Sequence, residues 1–249
     1  MTHDVRRAVV VGATSGIGMH VALLLAARGW RVAIAGRRED RLRQVAAMDG
    51  GIVCWQVIDI CQADAPRRLD ALIGRLGGMD LYFHSSGIGW QNMALDADKE
   101  LDTVRTNALG FVRMVQAAYQ WLAHSGHAGR LACITSIAGT KGLGAAPAYS
   151  ATKRFQSHYL ECLAQQARMR RLPIGITDIR PGFVSTALLA GDPYPMQMQP
   201  QRVARHIVRA VLRGRGVVTI DWRYRLLVAL WRLLPRWLWV RLRVPPTNC

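Results

Sequence analysis

Short apolar runs rich in valine and isoleucine recur along the chain, at residues 9–11, 31–36, 52–58, 79–84, 130–135, 174–179 and 217–220. Between them lie longer stretches whose apolar positions return every three or four residues: 19–28, 63–76, 99–124 and 201–212. The first rhythm predicts buried parallel strands and the second predicts helices with one face on a core. Strand and helix alternate without an internal repeat or a low-complexity linker, so the pattern predicts one α/β domain. A polar helix is expected just after Arg38, and the apolar stretch 187–200, with Pro193, Pro195, Met196 and Met198, reads as a flexible lid or a plain loop.

The turns at the ends of the runs carry the first chemistry. The first strand leads into Gly12-Ala13-Thr14-Ser15-Gly16-Ile17-Gly18 and then directly into a helix. Glycines let the backbone approach an anion, and a helix N-terminus offers free N–H groups and a positive dipole, so this turn suits a pyrophosphate. The spacing differs from the common Gly-x-Gly-x-x-Gly fingerprint, and alone it is also compatible with a tight strand-to-helix connection. The second run ends at Arg37-Arg38, where a dinucleotide's adenosine ribose would lie. Two guanidiniums there favour a 2′-phosphate, hence NADP(H), over a solvated surface pair. Asp59, followed by Ile60, closes the third run and either accepts from an adenine amino group or caps the next turn.

Small residues Ser85, Ser86 and Gly87 follow the fourth run and leave room for a ribose or nicotinamide. Asn107 sits in the middle of an apolar helical stretch, where an amide that competes with the backbone calls for a reason. The fifth run ends at Ser136, and thirteen residues later comes Tyr149, with Lys153 four residues beyond. On a helix, positions i and i+4 share a face, so phenol and ammonium address one pocket, and a nearby cation is expected to lower the phenol's pKa. After the sixth run, Pro181-Gly182 opens a loop that continues through Val184 and Thr186.

Taken together, the glycine turn, Asp59, Asn107, Ser136, Tyr149-Ser-Ala-Thr-Lys153 and Pro181-Gly182 resemble the classical short-chain dehydrogenases/reductases from about Arg6 to Ile220. The resemblance implies a Rossmann-type, doubly wound parallel sheet of seven strands in the order 3-2-1-4-5-6-7. It implies that Tyr149 exchanges a proton with a carbonyl oxygen as hydride moves to or from nicotinamide, and that Ser136 bonds the same oxygen. Lys153 would hold the nicotinamide ribose and depress the Tyr149 pKa. Asn107 would hold a water linking Lys153 to solvent. Thr14, Ser15, Gly16, Ile17 and Gly18 would line the pyrophosphate, Ser86 and Gly87 the ribose, and Pro181, Gly182, Val184 and Thr186 the nicotinamide side. The chain departs from the family pattern at Val11 and at His84-Ser85-Ser86-Gly87, where the family has Asn-Asn-Ala-Gly; the serine hydroxyls are expected to replace part of the lost amide bonding. Homodimers or homotetramers are the family's habit.

Length and composition agree with such a core: the chain has 249 residues, 51% of them hydrophobic. Five cysteines without paired metal spacing suggest free thiols in a reducing compartment, and no apolar signal segment precedes the first strand, so cytoplasmic synthesis without export is expected and no metal site. Charge changes the picture more. The net charge is +17, and residues 202–249 hold eleven Arg against one Asp, which is +10 of it. Residues 222–249 therefore read as a basic, Trp-rich extension to a dinucleotide-binding domain of residues 1–221. Within 222–244, Arg225, Arg232, Arg236 and Arg243 fall within about 40° of one another on a helical wheel. Pro235 is expected to split the stretch into two helices. Either the stretch lies in a membrane interface, peripheral on the inner face, or it packs its tryptophans on the protein or a second copy. Nucleic acid is not expected, because the apolar excess is wrong for a phosphate-tracking surface. These features lead to an NADPH-dependent reductase of an apolar carbonyl, with a 3-oxoacyl thioester reductase and a non-catalytic NADPH-binding scaffold as alternatives.

Overall fold

A computed structural model describes residues 5–186, 194 and 196–242. Seven parallel strands form one sheet: β1 (Arg7–Val11), β2 (Arg31–Gly36), β3 (Ile52–Val57), β4 (Leu81–His84), β5 (Gly129–Ile134), β6 (Ile174–Arg180) and β7 (Val217–Thr219). Their order is β3-β2-β1-β4-β5-β6-β7, with the crossover beside β1 that opens a crevice at the strands' carboxyl ends. Successive side chains of a strand face opposite sides. In β1, Ala8 and Val10 therefore enter one core and Val9 and Val11 the other, which is why the run is continuously apolar.

The first core is closed by α1 (Gly16–Ala26), α2 (Glu39–Ala46) and α7 (Pro200–Leu212), the second by α3 (Ala65–Leu76), α5 (Phe111–Ser125) and α6 (Pro147–Met169). In α7, Val203, Ala204, Ile207, Val208 and Val211 are buried, the i, i+3, i+4 stripe of a helix lying on a sheet. The C-terminal stretch forms α8 (Trp222–Leu233) and α9 (Arg236–Arg241), separated at Pro235 as proline's missing N–H dictates. Tyr224 and Val228 of α8 are buried in the first core.

One expected element is altered. The helix foreseen over residues 99–124 is α4 (Ala97–Val104), a π-helical turn (Arg105–Gly110) and α5. The π turn shifts the hydrogen-bond register around Asn107, and such bulges free backbone groups for other partners. Of the 187–200 stretch, residues 187–193 and 195, including Pro193 and Pro195, lie outside the described residues. Its end is tied down: Met198 N donates to Phe183 O at 2.9 Å and Ser185 N to Met198 O at 2.9 Å.

Candidate active site

The glycine turn forms a cradle over the N-terminus of α1. Gly12 has φ +86°, and a Cβ there would meet Ser86 N at 2.6 Å, while one at Gly18 would strike the Gly12 carbonyl. Only glycine permits this approach of backbone to backbone. Ser15, at the N-cap, makes no side-chain cap, and no acidic residue enters the first turn of α1. The helix thus presents uncapped N–H groups and its positive end, the donor set that a diphosphate requires. Ile17 is partly buried and packs against the first core. Arg38 Nη2 donates to Thr14 Oγ1 at 2.7 Å and to Ser15 Oγ at 2.8 Å, so a guanidinium lies across the cradle's rim. Arg37, beside it, is exposed. The residues present fit a nicotinamide dinucleotide.

Ser136, Tyr149, Lys153 and Asn107 converge beyond β4 and β5. Ser136 follows β5, and its hydroxyl is the neighbour that draws the Tyr149 pKa down; its Oγ accepts from Ala138 N at 3.1 Å. Gly89 lies flat against the Tyr149 ring, where a Cβ would enter the ring itself. Lys153 Nζ sits 5.7 Å from the centre of that ring and donates to Ile134 O at 3.2 Å. Helix α6 is held in register by Glu100, whose Oε2 accepts from Ala148 N at 3.0 Å, and by Ser150, whose Oγ donates to Ala138 O at 2.8 Å and Lys141 O at 2.9 Å.

Burial sets the protonation states. It lowers the Lys153 pKa from 10.5 to about 8, against smaller upward pulls from Cys133 and Asp178. It raises Tyr149 above 10.0, opposed by the Ser136 hydrogen bond and assisted by the neighbouring Tyr194. The expectation that Lys153 brings the phenol below its ordinary value is therefore corrected: desolvation disfavours tyrosinate more than the surroundings favour it. His84, bonded through Nδ1 to Tyr82 Oη at 2.9 Å, is held at about 3, by burial first and then by the Lys153 charge.

Asn107 is fully buried, its side chain committed to the chain segment that precedes the site. Oδ1 accepts from Ile88 N at 2.9 Å, and Nδ2 donates to Ile88 O at 2.7 Å and Thr152 Oγ1 at 3.3 Å. The carbonyl exposed by the π turn accepts from Gln156 Nε2 at 2.8 Å, and Gln156 Oε1 accepts from Lys153 Nζ at 3.0 Å. An amide side chain, fully buried, thus joins the two groups that the family resemblance linked through water. The signal for it was a polar residue three positions after Lys153, on the same face of α6.

The remaining candidates fall in two groups. Gly87 lies beside Asn107 Oδ1 and Lys153 Nζ, where a Cβ would stand 3.2 and 3.4 Å from them, and Ser86 backs Gly12. Ile60 is buried against Gly110, and Asp59 Oδ1 accepts from Cys61 N at 3.0 Å, the capping alternative for that residue. The serine hydroxyls of 85 and 86 make no hydrogen bond among the described residues; Ser85 joins β1 through its backbone N–H to Val11 O at 2.8 Å. On the far side, Pro181 O accepts from Ile137 N, Val184 is buried and bridges to Met198, and Thr186 stands over Gly16, with Cγ2 3.1 Å from where a Cβ would be.

Two aromatic residues of this wall carried no sequence signal. Tyr194 stacks on Phe183 with ring centres 4.4 Å apart, and its hydroxyl accepts from Gln91 Nε2 at 2.9 Å. Tyr224 of α8 covers Gly182, accepts from Phe183 N at 3.2 Å and donates to Met196 O at 3.1 Å. Tyr149 thus has Ser136, Tyr194 and Lys153 as neighbours, a phenol, an ammonium and a hydroxyl that can act as one acid–base set.

A family model described as short chain dehydrogenase matches residues 6–193. An uncharacterized oxidoreductase of Myxococcus xanthus is 32% identical over 92% of this chain and 93% of its own length. A protein named 11-beta-hydroxysteroid dehydrogenase A, from Sesamum indicum, is 30% identical over 85% of this chain and 67% of its own. The crystal structure of a short chain dehydrogenase/reductase from Burkholderia phymatum in complex with NAD superposes with a TM-score of 0.82, at 19% identity, over 92% of this chain and 94% of that one.

Proposed function

The chain belongs to the short-chain dehydrogenase family and is an oxidoreductase of that family, and from this premise we propose that it is an NADPH-dependent reductase of apolar ketones or aldehydes. The observation that carries the reading is the junction of Ser136, Tyr149 and Lys153 beside the cradle of α1. NADP over NAD is supported by Arg38 at the rim of that cradle with Arg37 next to it. When bound, the nicotinamide supplies the hydride. Tyr149, neutral because burial keeps its pKa above 10.0, releases its hydroxyl proton to the carbonyl oxygen, and Ser136 donates a hydrogen bond to the same oxygen. The tyrosinate left behind is stabilised by the Lys153 ammonium and takes its next proton from solvent. Lys153 would also hold the nicotinamide ribose, its ammonium kept in place by Gln156, which is in turn anchored on the Asn107 carbonyl.

The apolar substrate class is supported by the Phe183–Tyr194 stack and by Trp90, partly exposed next to the Gly89 that lies on the Tyr149 ring, and agrees with the steroid named for the sesame relative. A homodimer through α4, α5 and α6 is supported by exposed Leu101, Leu109 and Phe155. Cys54, Cys61, Cys133 and Cys162 are free, which supports a reducing compartment such as the cytoplasm. No helix among the described residues is long and apolar enough to cross a membrane.

The test is oxidation of NADPH and NADH by wild type and Tyr149→Phe, with polar ketones, lipophilic ketones and 3-oxoacyl thioesters offered in parallel. We expect NADPH turnover with lipophilic ketones, and a fall in kcat of about 10²–10⁴-fold in the variant, the usual share of a general acid. NADPH binding, followed by fluorescence, stays within about twofold. Binding without turnover of any carbonyl or alcohol would instead establish a cofactor-binding scaffold.

A further inference from the structure

Helix α8 has two working faces. On the inner one, Tyr224 and Val228 are buried and Leu227 and Trp231 pack against the first core. That face also grips both margins of the substrate crevice. Tyr224 accepts from Phe183 N and donates to Met196 O, while Trp231 Nε1 donates to Thr140 Oγ1 at 2.9 Å, Lys141 Nζ to Leu234 O at 2.7 Å, and Trp239 Nε1 of α9 to Gly142 O at 2.7 Å. The loop that carries residues 140–142 runs from Ser136 to Tyr149. The C-terminal pair of helices is therefore a wall of the crevice.

The outer face is apolar, and no other described residue covers it. Trp222, Leu226, Leu230 and Leu233 recur at i, i+4, i+8 and i+11, within about 80° of one another on α8, and Trp237 and Val240 extend the surface onto α9. All six are more than half exposed, Leu233 by 79%. Arg225 and Arg232 border this stripe on one flank and Arg223 on the other. Residues 222–242 contain five Arg and no acidic residue. Asp221, just before them, is engaged by Arg223 at 2.9 Å; Arg225, Arg232, Arg236 and Arg241 make no ion pair among the described residues.

We infer that the outer face of α8 and α9 docks the enzyme, crevice margin first, on an anionic lipid surface. An apolar stripe rimmed by arginine, with tryptophan at both ends, matches the layered chemistry of a bilayer interface: acyl chains beneath, phosphates at the rim. Arginine stems run along apolar surface while their heads reach phosphate. A second copy of this chain fits worse, since it would bring the same cationic rims together. The helices lie in the interface without spanning it: α8 has twelve residues, about 18 Å of helix against about 30 Å of hydrocarbon. Docking this way brings the gripped loops to the lipid, so that an apolar carbonyl passes from bilayer to crevice. Only that last step rests on the function proposed above.

The experiment is co-sedimentation of the full-length, NADPH-saturated protein with phosphatidylcholine vesicles, with and without phosphatidylglycerol. We expect strong binding to the phosphatidylglycerol vesicles and weak binding to neutral ones, with added salt releasing the protein. Leu226→Glu/Leu230→Glu lowers the partition coefficient by about tenfold or more, and Arg225→Gln and Arg232→Gln lower it about fivefold each. These residues are exposed, so the thermal midpoint and turnover of a water-soluble carbonyl without vesicles remain those of wild type. No binding to either vesicle, equal binding by the variants, or a concentration-dependent dimer lost in the leucine variant would each overturn docking. Because sedimentation is read without turnover, an inactive protein that still binds would refute the reductase reading alone.

Discussion

At the scale of single residues, the site depends on side chains placed where their alternatives are costly. Arg38 spans Thr14 and Ser15, and no acidic residue follows β2 before Glu39. On the proposed NADP(H) reading, replacing it by serine removes a charge-assisted contact to the 2′-phosphate, worth about 1.5–3 kcal/mol. KM for NADPH should rise roughly ten- to hundredfold, while KM for NADH stays unchanged, as initial rates with each cofactor would reveal. Gln156 is as specific. Leucine there removes the bonds that Gln156 makes to the Asn107 carbonyl and the Lys153 ammonium, leaving the ammonium its bond to Ile134 O, at a cost of about 1–3 kcal/mol in urea unfolding. Loss of the Oε1 acceptor also lowers the Lys153 pKa from about 8. The alkaline limb of the reduction profile should then move to lower pH, whereas Gln156→Glu, by adding a negative charge, moves it to higher pH. A purely structural role would shift stability and leave the limb where it is. Sequence reasoning found Lys153 and Asn107 from local spacing but passed over Gln156, because its partner on the π turn is 49 residues away.

Among the elements, the π turn and α8 decide how the catalytic set is held. The turn between α4 and α5 frees the Asn107 carbonyl, so a helix that periodicity predicts as continuous becomes a support for Lys153. Helix α8 acts on the opposite margin. Tyr224→Phe removes the bonds to Phe183 N and Met196 O but keeps the ring over Gly182. We expect amides of residues 183–185 and 196–198 to exchange faster by about tenfold, the equivalent of about 1.4 kcal/mol. KM for the carbonyl should rise with a small change in kcat, since Tyr149 is untouched. Hydrogen exchange by mass spectrometry and steady-state kinetics check the two halves; unchanged exchange would show that the loop holds without α8.

For the molecule as a whole, two buried bases set the pH dependence of stability. His84 titrates at about 3 when folded against an ordinary 6.5. Between those values the unfolded chain binds a proton that the folded chain refuses, so stability falls as pH falls, by up to about 1.4 kcal/mol per pH unit. Lys153, at about 8 against 10.5, has the same sign: the folded chain releases its proton first, and stability rises from pH 8 towards 10.5. Urea unfolding across pH should show both limbs. In His84→Asn the difference from wild type should vanish above pH 6.5 apart from a constant offset and grow in the variant's favour below it; parallel curves would mean that the imidazole is not held neutral.

What the amino-acid sequence determined by itself was everything that depends on near neighbours. Short continuous apolar runs mark the strands, the i, i+3, i+4 stripe marks α7, glycines mark the α1 turn, and helical spacing puts Tyr149 and Lys153 on one face. The strand order came through resemblance and is observed. Tertiary structure alone decided the partners. Gln91 meets Tyr194 across 103 positions and Trp231 meets Thr140 across 91, and no local pattern encodes a contact whose energy exists only when the sheet has brought the segments together. It also decided the balance at Tyr149: spacing brings a cation near the phenol, but burial, a property of the assembled core, outweighs it.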